Sequence, residues 1–304
     1  MKNRLEYLAL LVFEAVFRIL PYRACVGLAV ALSRIAFHVV RWRRAEAVRR
    51  IMSVTGVDAK EAKRIAYESL RGSMLTIAEI MHGRVMRDVW IHRHVSGAED
   101  TAIALKTLVS GGRGVVLALP HMGNWYLAGS IMAKWGVPMC AVAGRQRNPL
   151  TNAWMNRHLY GRMTVLERGS SAIRECVKRL RSGNVMAILP DVRMRTPDLA
   201  VPFLGGVANV GRGMAAFARK TNSPIVVAKL RRDGLVRHEF AISDPIESDP
   251  SLDAEEDIRR MTMLVLSGID ERIHNEPGQW FWYNKRWVLD PVEGAEAPST
   301  GDDR

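Results

Sequence analysis

At 304 residues, 48% apolar and 25% charged, the chain is long enough for one large α/β domain or two small ones, which excludes wholesale disorder. Its net charge of +13, in which arginine dominates, favours anionic partners: nucleic acid, an anionic membrane or phosphorylated substrates. Cys25, Cys140 and Cys176 sit in apolar or helical contexts without paired spacing, so neither a disulfide framework nor a zinc knuckle is expected, and a reducing compartment fits.

The N-terminus carries two apolar stretches, Leu5 to Leu20 and Tyr22 to Val40, broken by Glu6, Glu14, Arg18, Arg23, Arg34 and His38. Neither is a clean run of the ~20 apolar residues that a spanning helix needs, and neither has the uninterrupted core and cleavage site of a secretory signal. The cluster Arg41-Trp42-Arg43-Arg44, with Arg49 and Arg50, follows directly. Apolar helix, interfacial tryptophan and arginines describe a segment lying on an anionic bilayer surface. The alternatives are a buried helix pair capped by a solvated basic turn, or a true transmembrane anchor.

Further along, the patterning predicts a helix over Asp58 to Met81, capped by Asp58 and stopped by Gly83. A short strand is expected over Trp90 to Val95 and a helix over Thr101 to Leu108. Strands and helices then alternate. Strands are expected at Gly114 to Leu119, Pro138 to Val142, Val185 to Leu189, Ile225 to Leu230 and His238 to Ile242. Helices are expected after Asn124, at Asn148 to Gly161, Ser170 to Arg181, Arg212 to Thr221 and Asp253 to Asn275. Such alternation argues for an α/β fold with a mostly parallel central sheet flanked by helices. The expected organisation is N-terminal membrane-associated helices over residues 1–50, an α/β domain over 51–290 and a flexible tail over 291–304.

One histidine stands where chemistry is expected. In Leu119-Pro120-His121-Met122-Gly123-Asn124-Trp125-Tyr126, His121 falls between an apolar strand and a helix start, at the carboxyl end of a parallel strand where α/β sheets open their crevices. Asp191, in Leu189-Pro190-Asp191, follows a second apolar strand and precedes Arg193 and Arg195. It reads either as part of a site or as an Asp–Arg brace for the following loop. There is no Gly-x-Ser-x-Gly elbow, P-loop or metal cluster, and the aromatic–basic C-terminal run lacks any recognised nucleic-acid motif, so no nucleic-acid partner is expected.

His121-Met122-Gly123-Asn124-Trp125, Asn148-Pro149-Leu150, Leu189-Pro190-Asp191, Val201-Pro202-Phe203-Leu204-Gly205 and Gln279-Trp280-Phe281-Trp282-Tyr283-Asn284-Lys285-Arg286-Trp287 occur in that order. Together they resemble the lauroyl/myristoyl lipid A acyltransferases and their relatives, the phosphatidylinositol mannoside acyltransferases, over about residues 5 to 290. The resemblance implies a glycerol-3-phosphate-acyltransferase-like fold and an enzyme on the cytoplasmic face of the inner membrane. Its reaction would move a fatty acyl chain from acyl carrier protein or acyl-CoA to a hydroxyl of a glycolipid or related amphiphile, with no resident cofactor.

His121 is then the general base that removes the acceptor's proton, since a free imidazole pKa of ~6.5 suits that work. Family members carry an acid five positions after the histidine, where this chain has Tyr126, a phenol with an unperturbed pKa of ~10 and no full negative charge. Three readings stay open: Asp191 supplies the charge, Tyr126 or a backbone carbonyl orients His121 in a slower enzyme, or the chain is a catalytically impaired relative that binds or assembles lipids. Arg145, Arg162 and Arg168 are candidates for gripping phosphates, and Arg286 for lying near the acceptor. Asn124 and Gly123 are candidates for presenting backbone amides to an oxyanion. His158, in a helix beside Arg157, reads as a surface or acceptor-lining residue.

Overall fold

A computed structural model describes residues 1–83, 87–144, 146–158, 163–167 and 170–292. Four helices lead the chain: α1 (Lys2–Ile19), α2 (Tyr22–Arg34), which runs on through a π-helical turn at Ile35–Val40, α3 (Arg44–Thr55) and α4 (Ala59–His82). The expected division at residue 50 falls inside α3. Asp58 caps α4 by accepting the Glu61 N–H at 2.8 Å, and Gly83 ends it in the left-handed conformation at φ 69°. Then come α5 (Asp88–His94), β1 (Val95–Ser96), α6 (Ala98–Ser110), β2 (Val115–Ala118), α7 (Leu127–Lys134), β3 (Met139–Ala143), α8 (Pro149–His158), β4 (Thr164–Glu167), α9 (Ser170–Arg181) and β5 (Val185–Ile188). The hairpin β6 (Leu199–Phe203) and β7 (Gly206–Val210), then α10 (Gly213–Thr221), β8 (Ile225–Asp233), β9 (Arg237–Ile242) and α11 (Ala254–Asn275) complete the order.

Among the described residues, seven strands form one sheet in the order β1-β9-β8-β2-β5-β3-β4. The run from β8 to β4 is parallel, and β9 turns antiparallel to β8. This is the mostly parallel sheet the alternation predicts, and each residue of β2 is buried because helices cover both faces. Val116, Ala118, Cys140, Met186 and Ile225 pack with α3, α4, α10 and α11 on one face. Their strand neighbours Val115, Leu117, Met139, Val185 and Val226 pack with α6 and α7 on the other.

Three elements depart from the sequence expectations. The residues read as a strand from Trp90 form α5, in which the Trp90 and His94 rings stack 4.5 Å apart across one turn. Strand β4 is a four-residue edge strand, too short to show a pattern. The β6–β7 hairpin turns at Leu204 and Gly205, both with positive φ (53° and 72°). That conformation normally advertises itself through Asn-Gly or Asp-Gly, and a leucine there conceals it. Asp270 compensates by accepting the Leu204 N–H at 2.9 Å.

The N-terminal helices pack on α4 and α8 rather than standing apart. Phe17, Cys25, Val26 and Ala29 form a core with Leu75, Ala78 and Trp154. The Trp154 indole N–H donates to the buried Glu14 carboxylate at 2.6 Å. The outward side of α1 is apolar all the same: Leu5, Leu8, Val12, Val16 and Ile19 recur at helical spacing and are exposed. The segment Tyr22–Val40, with mean hydropathy 1.6, is long and apolar enough to cross a membrane by length and composition.

Candidate functional site

The site is built from the register of two neighbouring strands. In the sheet β2 lies beside β5, with Ala118 paired to Ile188 and the Leu119 N–H donated to the Ile188 carbonyl at 2.8 Å. Each strand then continues as Leu-Pro, which holds the leucine extended and asks for no amide hydrogen bond at the proline. His121 and Asp191 thus stand three residues beyond a matched pair and meet. The Asp191 Oδ1 lies 2.8 Å from the His121 Nδ1, and Oδ2 accepts the His121 backbone N–H at 2.7 Å. Oδ2 also accepts the Trp280 indole N–H at 2.8 Å.

The Asp191 side chain has no exposed surface, whereas that of His121 keeps 22% of its own. Burial pushes the Asp191 pKa up, but the His121 imidazole and the three donated hydrogen bonds outweigh it and hold the group below the usual carboxylate value. An ionised Asp191 accepts from Nδ1–H, which fixes the tautomer and leaves Nε2 with its lone pair. Arg193 does not form the alternative brace: it donates to the carbonyls of Asp290 and Pro291.

Trp280 is the member of this group that sequence reasoning missed. The C-terminal aromatic run reads as an interfacial belt, an acyl-tunnel wall or a buried segment, and Trp280, Trp282 and Tyr283 are in fact buried. The signal available in the sequence was chemical: a buried indole N–H needs an acceptor, and a buried carboxylate is the best one. The same segment clamps the histidine loop from outside. Phe281 N–H donates to the His121 carbonyl at 3.0 Å, and the Gly123 N–H donates to the Gln279 carbonyl at 3.0 Å.

The far end of the loop is anchored in a buried polar network. Asn124, fully buried, donates from Nδ2 to the Glu79 carboxylate of α4 at 2.7 Å. Arg232 grips the same carboxylate through both terminal nitrogens, at 2.5 and 2.7 Å, and His238 approaches it at 3.3 Å. Burial pushes the Glu79 pKa up, but the guanidinium charge and these hydrogen bonds prevail and hold it at about 2. Gly123 crosses β8 so closely, at φ 58°, that a Cβ there would strike the Leu230 carbonyl.

His121 opens onto a cavity of about 710 Å³, a size usual for ligand sites. Its walls are mainly apolar: Val142 of β3, Met155, Ile173, Cys176, Ile188 of β5 and Phe217 of α10 are among them. Tyr126 also lines this cavity, its ring 5.2 Å from that of Trp125, and no hydrogen bond joins it to His121 among the described residues. Burial raises its pKa against a smaller lowering by Trp125, so the phenol stays neutral near pH 7.

The remaining candidates are dispersed. The Asn124 side chain points into the Glu79 network rather than the cavity, and the Gly123 amide is already spent on Gln279. With its Gly123 member so engaged, the pair of backbone amides expected for an oxyanion is not free to form. Arg286 is exposed on the C-terminal loop and is not among the residues that line the cavity. His158 stacks on Trp154 at 4.8 Å and approaches Glu14 at 3.6 Å, which gives it a structural place. Arg145, Arg162 and Arg168 lie outside the described residues.

A hydrogen-bonded His–Asp pair facing a large apolar cavity suits chemistry at the end of a long aliphatic chain. Comparison with known proteins agrees. The chain is similar to the phosphatidylinositol mannoside acyltransferases of Mycobacterium tuberculosis strains CDC 1551 / Oshkosh and ATCC 25618 / H37Rv. Each is 24% identical to it over 230 residues, covering 71% of this chain and 71% of the relative. The pattern that defines the bacterial lipid A biosynthesis acyltransferases matches residues 3–288, nearly the whole sequence, and the chain belongs to that family.

Proposed function

We propose that the protein transfers a fatty acyl group from a thioester, acyl carrier protein or coenzyme A, to a hydroxyl of a glycolipid or related amphiphile, with His121 as the general base. The observation that carries this reading is the His121–Asp191 pair at the mouth of the apolar cavity. The acyl chain occupies the cavity and presents its carbonyl at His121. The His121 Nε2 takes the proton as the acceptor oxygen attacks that carbonyl, and Asp191 stabilises the imidazolium that forms. As the tetrahedral intermediate collapses, the C–S bond breaks and the imidazolium returns its proton to the departing thiolate. Tyr126 needs no part in this sequence, because Asp191, in the loop after β5, supplies the acid that its position lacks.

Membrane association follows from the exposed apolar stripe of α1, the apolar Tyr22–Val40 segment and the arginines that follow it. These suit the cytoplasmic face of an inner membrane, where each basic residue near anionic lipid contributes about 1 kcal/mol. The functional test is transfer of labelled acyl groups from both thioesters to extracted bacterial lipids, by wild type and His121→Ala. Loss of transfer in a folded variant is expected. Unchanged transfer would overturn the mechanism, and lipid binding without turnover in the wild type would make the chain a lipid-binding relative. Failure to co-sediment with anionic vesicles would remove the membrane assignment.

A further inference from the structure

The His121–Asp191 pair is held from outside by a residue that is not among those lining the apolar cavity. Among the described residues the Asp191 carboxylate has three donors, and two belong to His121 itself. These are its backbone N–H, 2.7 Å from Oδ2, and its imidazole Nδ1, 2.8 Å from Oδ1. The third, the Trp280 indole N–H at 2.8 Å from Oδ2, comes from 89 residues further along the chain. Without it the two residues would form a closed couple, bound to each other but free to turn together relative to the cavity wall. With it, Oδ2 is fixed by donors arriving from two different parts of the fold. The carboxylate plane is thereby set, and Oδ1 faces Nδ1.

Trp280 can act as that fixed point because it is itself pinned on several sides. It is buried, its carbonyl accepts the Ser69 hydroxyl of α4, and it bridges Met122 of the histidine loop. Its ring meets those of Phe203, Trp282 and Trp287 edge-on, with centroids 6.5, 4.8 and 5.7 Å away. The residues that follow are tied down in turn. The Tyr283 hydroxyl donates to the Ala66 carbonyl at 2.7 Å. Arg50 of α3, also buried, donates to the Trp282 and Asn284 carbonyls at 2.9 and 2.8 Å, with its guanidinium 4.8 Å from the Trp287 ring centre.

We propose that Trp280 is a positioning residue of the reaction: its indole N–H turns the Asp191 carboxylate toward the His121 Nδ1 and so aims Nε2 at the cavity. Its part in the reaction rests on the acyltransferase reading; its hold on the carboxylate does not. The same bond favours the ionised carboxylate. Burial pushes the Asp191 pKa up, and the His121 imidazole, with the hydrogen bonds from His121 and Trp280, holds it below the usual value. Asp191 therefore stays charged beside the imidazolium, and the Nδ1 proton does not pass to it.

Two replacements separate the N–H from the ring. Trp280→Phe removes the N–H and part of the ring, whereas β-(3-benzothienyl)alanine at position 280 keeps the indole shape with sulfur in place of the N–H. The first measurement needs no turnover: diethyl pyrocarbonate modification of the full-length, detergent-solubilised protein, followed against pH at the His121 peptide by mass spectrometry. The reagent attacks the neutral imidazole, so the midpoint reports protonation of the His121–Asp191 pair. Losing a donor that favours the carboxylate charge lets the pair bind its proton more readily. Both replacements should therefore move the midpoint about 0.5–1 unit to higher pH. The peptide carrying His92, exposed on α5, should keep its profile. A midpoint unmoved in both proteins, or moved by Trp280→Phe and restored by the isostere, would overturn the proposal, since packing alone would then account for Trp280.

Acyl transfer supplies the second measurement. Both replacements should lower kcat about 10- to 100-fold, as for a hydrogen bond lost from a buried charge, with each KM within about twofold of wild type. Wild-type kcat in the isostere, or a loss carried by KM, would refute the positioning role. A residue that merely braced the fold would lower the melting temperature and leave the midpoint in place. Should the wild type transfer no acyl group, a moved midpoint still supports Trp280 as the group that sets the pair, and the failure falls on the acyltransferase reading.

Discussion

The sharpest perturbation of the proposed mechanism is Asp191→Asn, which keeps shape and removes charge. The wild-type carboxylate receives three donors: the His121 backbone N–H and the Trp280 indole N–H at Oδ2, and the His121 Nδ1 at Oδ1. An asparagine amide has one acceptor oxygen and one donor group. Turning its NH₂ toward the two donors at the Oδ2 position would bury two unsatisfied contacts, so the oxygen stays there and the NH₂ faces Nδ1. The imidazole then keeps Nδ1 unprotonated and carries its proton on Nε2, the atom that must accept one. The analogous change in a serine protease costs about 10⁴ in rate, so kcat here should fall about 10³- to 10⁴-fold, about 4–5.5 kcal/mol of barrier. The assay is acyl transfer from a radiolabelled thioester to lipid at neutral pH, with thermal melting to establish that the variant folds. A folded Asp191→Asn within tenfold of wild type would refute the claim that Asp191 sets the tautomer. Asp191→Ala should be worse in another way, leaving buried donors unpaired at about 1–3 kcal/mol each and lowering the melting temperature.

Other outcomes are expected from the same geometry. Tyr126→Phe removes a neutral phenol that makes no described bond to His121 and should change kcat less than threefold; a hundredfold loss would restore Tyr126 to the mechanism. Val142→Phe narrows the cavity by roughly two methylenes, each worth about 0.8 kcal/mol, so kcat/KM for the longest acyl donors should fall about tenfold relative to shorter ones. An unaltered chain-length profile would argue that the cavity does not hold the acyl group. Glu79→Gln leaves the Arg232 guanidinium buried without its counter-charge and should destabilise the fold by about 3–5 kcal/mol in urea unfolding. Because the folded Glu79 pKa is depressed from 4.5 to about 2, its contribution is complete above the unfolded value and is lost as pH falls from about 4.5 toward 2. The wild-type stability curve should therefore drop across that window more steeply than the Glu79→Gln curve, and parallel curves would refute the linkage.

Much of the fold was legible from local pattern. The apolar strands β2, β3, β5 and β8, the capped helices α4 and α11 and the His121 loop all announce themselves through periodicity, Gly and Pro placement and capping residues, because these act over a few neighbouring residues. What stayed hidden was either too short, as in β4, or made by a residue outside its usual habit, as at Leu204 in the hairpin turn. The twin Leu-Pro-His and Leu-Pro-Asp segments were visible as separate signals. Nothing in either segment says that their strands are neighbours.

That adjacency is the main thing the tertiary structure decided. The sequence by itself determined the α/β class, the position of His121 at a strand end, the absence of an acid at Tyr126 and the apolar, basic character of the N-terminus. Strand order placed β5 directly against β2, although β3 and β4 intervene in the chain, and register brought Asp191 to His121. Long-range packing then delivered Trp280 to the same carboxylate and Glu79 to Asn124. Periodicity reports which face of an element is buried and is silent about what buries it, so partners separated by 45 to 89 residues were settled only when the sheet and its covering helices closed around them.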